Sequence, residues 1–111
     1  MRFLIAVAMA SLTLGITGAA MADDMPTFLL SIRDHKYDPP VIEIPADTKV
    51  KIVVKNLDPT PEEFESFELN REKIVAGGKE ITVFIGPLSP GTYPFFGDFN
   101  QATAQGKVIA K

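Results

Sequence analysis

The strongest constraint on this chain is how short its regular runs are. Nine prolines and eight glycines punctuate 111 residues, and the segments between them are strand-sized. Lys49–Asn56 is the clearest: Val50, Ile52 and Val54 fall on one face, and Lys49, Lys51 and Lys55 fall largely on the other. Period two with one charged face is the pattern of a half-buried antiparallel strand. Lys79–Ile85 repeats it, with Ile81, Val83 and Ile85 against Glu80, Thr82 and Phe84. Thr27–Arg33, Val41–Ile44, Glu72–Val75 and Thr92–Phe96 read as further strands, and Lys107–Lys111 as a final one. From Phe64 on, a strand is favoured over a helical turn, because Pro59 and Pro61 sit just upstream and Phe67 and Leu69 alternate with Ser66 and Glu68. Asp34–Pro40 reads as a loop, since its prolines lack donors and its aspartates favour turns. Pro94 points to an edge position or a bulge. Seven or eight short strands without a helix predict an all-β fold, a β-sandwich.

The N-terminus has a different character. Arg2 is followed by an almost unbroken apolar run, Phe3–Gly18, and then by Ala20-Met21-Ala22 before Asp23-Asp24. This is the pattern of a secretory signal peptide, residues 1–22, cleaved after Ala22 to leave one domain at 23–111. A membrane anchor is the weaker reading, because the run is near the lower limit for spanning. The chain has no cysteine, so it has neither disulfides nor thiolate ligands. The net charge of −3 becomes more negative once Arg2 is removed. An acidic exported domain is a poor binder of nucleic acid and of anionic membranes, and it attracts cations or a basic partner.

One stretch carries a more specific pattern. Tyr93-Pro94-Phe95-Phe96-Gly97-Asp98-Phe99-Asn100 leads into a polar loop that ends at Gly106. The aromatic spacing, the loop and the closing glycine resemble the cupredoxins, small Greek-key β-sandwiches that carry blue copper. In that resemblance Gly97 stands at the cysteine position and Asn100 at the histidine position. The methionine position falls near Ala104 or Gln105, and the first histidine falls in Glu62-Glu63-Phe64. The soft ligands of a type 1 copper centre are therefore missing, and His35 is the only histidine.

A narrower resemblance covers most of residues 23–111. Asp34-His35-Lys36-Tyr37-Asp38-Pro39, Glu62-Glu63-Phe64-Glu65-Ser66, Arg71-Glu72-Lys73, Gly86-Pro87-Leu88, Pro90-Gly91 and Phe96-Gly97-Asp98-Phe99 are similar to the cupredoxin-like proteins of bacterial ferrous-iron uptake systems. That resemblance implies a periplasmic metal-handling accessory protein. Its partners would be a periplasmic iron-binding protein and an inner-membrane iron permease.

The ligands on offer are oxygens: Asp58, Glu62, Glu63, Glu65, Glu68, Glu72 and Asp98, with His35 as the one imidazole. Such a set suits an iron ion first, with copper as the second choice. The expected metal ligands are Glu63, Glu65 and Asp98, followed by Glu62 and His35. Glu63 and Glu65 would share a strand face, and the loop after the third strand would meet Tyr93–Gly106 at one end of the sandwich. Arg71 and Lys73 are available as structural ion-pair partners for these acids. Phe64 and Phe99 are candidate partner contacts, which is the basis of an alternative reading as a docking module without a metal. No nucleophile–base pair is visible, and a ferroxidase step would require a redox-competent bound metal.

Overall fold

The computed structural model describes residues 25–111, so the expected signal peptide at 1–22 lies outside the described residues. Nine strands follow in order: β1 (Thr27–Arg33), β2 (Lys36–Asp38), β3 (Val41–Ile44), β4 (Val50–Asn56), β5 (Glu62–Ser66), β6 (Arg71–Val75), β7 (Glu80–Ile85), β8 (Gly91–Gly97) and β9 (Gln105–Ala110), with one short 3-10 turn at Asp98–Asn100. They form a four-stranded sheet, β2-β1-β4-β7, packed on a five-stranded sheet, β3-β9-β8-β5-β6. The all-β sandwich expected from the alternation is what forms. Among the described residues no helix is long and apolar enough to cross a membrane.

The inward-pointing residues of each strand supply the core. Val50, Ile52 and Val54 of β4 are fully buried, as are Leu30 and Ile32 of β1, while Val83 and Ile85 complete the same sheet. From the other sheet come Phe64, Phe95, Val75 and Val108. Three aromatics knit the layers together. Tyr37 meets Phe95 edge-on at a centroid distance of 5.0 Å, and Phe64 lies 5.1 Å from Phe95. Such pairs add directional attraction to the area they bury. Phe64 is wholly enclosed here, so the expected partner contact at Phe64 is corrected: its ring is a core element with no surface to offer.

Three departures from the sequence pattern have local physical causes. β2 forms inside the expected loop because Asp34 and His35 both adopt positive φ, 54° and 59°. A two-residue left-handed turn of this kind matches strand twist and closes a tight hairpin, with Arg33 paired to Lys36. β5 begins at Glu62 rather than Phe64 and stops at Ser66. The Ser66 hydroxyl donates to Pro94 O at 2.6 Å and accepts from Leu69 N at 3.0 Å, which turns the chain out of the ladder. Pro94 lies in a central strand, where no edge position was available. It is tolerated because β5 pairs with β8 only at Phe64↔Gly97 and Glu65↔Phe96, so that ladder never reaches it.

Buried polar side chains hold the β4–β5 connection that delivers β5. Asn56 donates through Nδ2 to Thr60 O at 2.8 Å and to Val75 O at 3.2 Å, and its Oδ1 accepts from Asp58 N at 3.0 Å. Every buried side-chain nitrogen and oxygen among the described residues has a partner, as a well-specified core requires.

Candidate functional site

Strand alternation divides the acidic segment of β5 into two sets. Glu62, Phe64 and Ser66 point inward and are buried, whereas Glu63 and Glu65 point to the outer face and are half-buried. The inward set meets the loop after β8. Glu62 Oε1 accepts from Phe99 N at 2.8 Å and from Glu63 N at 3.0 Å, and Oε2 accepts from Asn100 Nδ2 at 2.6 Å. Asn100 O in turn accepts from Ala104 N at 2.8 Å, and Gly97 N donates to Ala104 O at 2.8 Å. Glu62 therefore converges with Gly97, Asn100 and Ala104, which lie far from it in sequence. The fit is close enough that a Cβ on Gly97 would stand 2.6 Å from Glu62 Cδ and 2.7 Å from Ala104 Cβ. Tyr37 lies beneath this cluster with its hydroxyl donating to Phe96 O at 3.3 Å. Burial, and then the negative charge of Glu62, raise its phenol well above the ordinary tyrosine range.

The outward set meets β6. Glu65 stands directly opposite Glu72, and Glu63 opposite Ile74. Directly opposed residues share a face, so Glu63, Glu65 and Glu72 each bring a carboxylate oxygen within 4.8 Å of the others. Asp98 borders them from the loop, its Oδ1 accepting from Gln101 Nε2 at 2.8 Å. Partial desolvation, then the Glu72 charge, then a carboxyl–carboxyl hydrogen bond with Asp98 push Glu63 above the usual glutamate range. Glu65 is pushed the same way by desolvation and by the charges of Glu72 and Asp98.

Among the described residues no basic side chain forms an ion pair with this cluster. Arg71 and Lys73 flank Glu72 in sequence, but alternation turns them to the other side of β6. There Arg71 Nε donates to Phe84 O at 2.9 Å and Lys73 Nζ donates to Thr82 O at 3.3 Å. Among the described residues the side-chain pairs at salt-bridge distance are His35–Asp58 and Lys111–Glu43.

The structure thus groups Glu63 and Glu65 with Glu72, which the sequence offered only as one acid among several, and leaves Asp98 at the border of that group. The Phe67–Asn70 turn sets this register, with Asn70 at φ 54° and Ser66 closing on Arg71. Once that turn is known, Glu72 must face Glu65. Two expected metal ligands are corrected. Glu62 lies on the opposite side of β5 with both carboxylate oxygens engaged by donors, so it is a loop fastener. His35 sits in the β1–β2 turn, where its Nδ1 is 3.6 Å from Asp58 Oδ2. The Asp58 carboxylate also accepts from Asp34 N at 2.8 Å and His35 N at 2.9 Å. These backbone donors hold Asp58 below the usual aspartate range, the His35 amide foremost.

Comparison with known proteins fits this geometry. The chain belongs to the cupredoxin-like domain family, whose model matches residues 4–110. An uncharacterized protein of Rickettsia prowazekii (strain Madrid E) is 46% identical over 87 residues, covering 78% of this chain and 70% of that protein. Among solved structures, auracyanin A, a blue copper protein of Chloroflexus aurantiacus, superposes with a TM-score of 0.68 at 13% identity, covering 79% of this chain and all of that one. Amicyanin from Paracoccus versutus gives 0.62 at 19% identity, covering 84% and 87%. The metal-binding domain of the Cu(I)-exporting P-type ATPase CopA of Streptococcus pneumoniae gives 0.71 at 13% identity, covering 82% and 90%. At these identities the likeness is one of fold.

The residues present do not fit the family's type 1 copper. The positions expected to hold its ligands fall in Glu62-Glu63-Phe64, at Gly97, at Asn100 and at Ala104 or Gln105, with no thiolate and no imidazole among them. Of these, Asn100 Nδ2 donates to Glu62 Oε2.

Two outcomes follow from this arrangement. Glu62→Ala leaves the Phe99 amide and the Asn100 side chain without their acceptor, and it is expected to cost about 1–3 kcal/mol in denaturant unfolding and to speed exchange of the Phe99 amide. The second concerns pH. Because Glu63 and Glu65 hold protons more tightly folded than unfolded, their contribution to stability falls as pH rises from the unfolded glutamate value, about 4.3, through their raised folded values. Glu72→Gln is expected to lower both pKa values in a carboxyl NMR titration and to flatten that fall.

Proposed function

We propose that this protein handles a hard divalent cation, iron foremost, on the Glu63–Glu65–Glu72 face with Asp98 at its border. It would do so as an exported accessory of a ferrous-iron uptake system. One observation carries the reading: three carboxylates converge on an outer sheet face while the bases beside them are committed elsewhere. Like charges directly opposed across a ladder destabilise it, and a bound cation would remove that repulsion. All-oxygen donors suit Fe²⁺, Mn²⁺ or Ca²⁺ better than Cu⁺. Cu²⁺ remains a competitor by its general affinity for such ligands.

The cluster lies on an open face rather than in an enclosed cage, which suits receiving and passing on an ion. The signal-peptide pattern and the family resemblance support a periplasmic setting. They also support a periplasmic iron-binding protein and an inner-membrane permease as the donor and acceptor.

A second reading, docking without a metal, is favoured by one feature. Phe67 is 74% exposed and lies 5.5 Å from Phe96, while Phe99 is 48% exposed, so aromatic surface borders the acids. On this reading Phe99 contacts the partner and the carboxylates meet its basic residues.

Calorimetric titration of the metal-free protein with Fe²⁺ under anaerobic conditions, with Mn²⁺ and with Cu²⁺ separates these readings. Binding of Fe²⁺ and Mn²⁺ is expected, weakened about tenfold or more in Glu65→Gln (~1.4 kcal/mol) and less in Asp98→Asn. Absence of binding by every cation, or binding indifferent to both substitutions, sinks the metal reading. Loss of partner co-purification on Phe99→Ala alone would then favour docking.

A further inference from the structure

β7 is the outer strand of its sheet and pairs only with β4, while β6 is the outer strand of the other sheet and pairs only with β5. The two share one flank of the sandwich, joined by a tight turn in which Lys79 N donates to Ala76 O at 3.1 Å. Alternation places Arg71, Lys73 and Val75 on the inner side of β6. Val75 is fully buried, whereas the other two side chains stay exposed and cross the open flank. Arg71 Nε reaches Phe84 O at 2.9 Å and Lys73 Nζ reaches Thr82 O at 3.3 Å. Arg71 Nη1 also donates to Asn70 O at 2.8 Å, which fixes the guanidinium in place.

These two carbonyls face away from β4. In an antiparallel ladder a residue's N–H and C=O point to the same side, so the amides of Thr82 and Phe84 also face outward. An unpaired strand edge of this kind is a template for another chain. The strand itself, Glu80-Ile81-Thr82-Val83-Phe84-Ile85, is rich in β-branched and aromatic residues, carries one charge and has no proline. That is the composition of a segment able to pair with its own copy.

We propose that β7 is a latent pairing edge whose fitting partner is β7 of a second copy of this chain, and that Arg71 and Lys73 keep it closed. A two-fold antiparallel pair centred on Thr82 sets Thr82 against its counterpart and Glu80 against Phe84. That register needs the carbonyls of Thr82 and Phe84 as acceptors, and these are the two that the basic side chains occupy. Docking two copies would also crowd two arginines and two lysines into one seam. The guards thus act twice, by taking acceptors and by charge repulsion.

The test is sedimentation of the purified wild-type protein and of Arg71→Ala/Lys73→Ala over a range of concentrations, with amide exchange on both. The wild type is expected to remain monomeric. The double variant is expected to dimerise, with exchange at Thr82 and Phe84 slowed roughly tenfold or more and protection in β4 and β8 unchanged. Lys73→Ala alone, a change at an exposed side chain that preserves the fold, is expected to give a weaker form of the same shift. Adding Thr82→Pro removes an outward donor without touching the β4 ladder and is expected to restore the monomer. A double variant that stays monomeric, association that survives Thr82→Pro, or a wild type already paired through β7 would each overturn the proposal.

Discussion

The loop end of this sandwich is organised by one buried carboxylate. Glu62 is almost wholly enclosed, and both its oxygens accept hydrogen bonds, from the Phe99 and Glu63 amides and from the Asn100 side chain. A buried anion is tolerable only when its lone pairs are met in this way. In doing so Glu62 ties β5 to the loop that follows β8, and it fills the space that makes Gly97 the only residue fitting there without displacement. A carboxylate–amide contact thus makes this connection with the chain's own atoms.

The same strand creates the opposite situation on its other face. Fixing Glu62 inward forces Glu63 and Glu65 outward, and the β5–β6 register then sets Glu72 against Glu65. Period two also turns Arg71 and Lys73 away from the acids they neighbour in sequence, toward the carbonyls of β7. The uncompensated acidic face and the guarded edge are therefore two consequences of one alternation. Desolvation first, and then the Glu72 charge that this register sets beside them, raise the proton affinity of Glu63 and Glu65.

Much of the fold was legible because the core strands alternate plainly: β4 and β7 hardly need tertiary information to be drawn. β2 was not, since its existence depends on two left-handed residues, Asp34 and His35, whose hairpin is held by Asp58 from a distant loop. At the site, strand period alone puts Glu63 and Glu65 on one face, and the expected meeting of two loops brings Asp98 to its border. The misplacement of Glu62 came from starting β5 two residues late, which hid that it and Phe64 share the inward face. His35 enters the ligand set as the chain's one imidazole, and only the fold shows that Asp58 engages it. Glu72 required the Phe67–Asn70 turn, and no periodicity within a single strand supplies a cross-strand register.

The Glu63–Glu65–Glu72 face is proposed to hold a cation. The most direct test is a titration of the isotopically labelled protein with substoichiometric Mn²⁺, followed by paramagnetic broadening of the amide spectrum. The expected result is broadening strongest at Glu63, Glu65 and Glu72, spreading to Asp98, and abolished by Glu65→Gln. Broadening centred on another carboxylate such as Asp58, or a spectrum untouched by the ion, would contradict it.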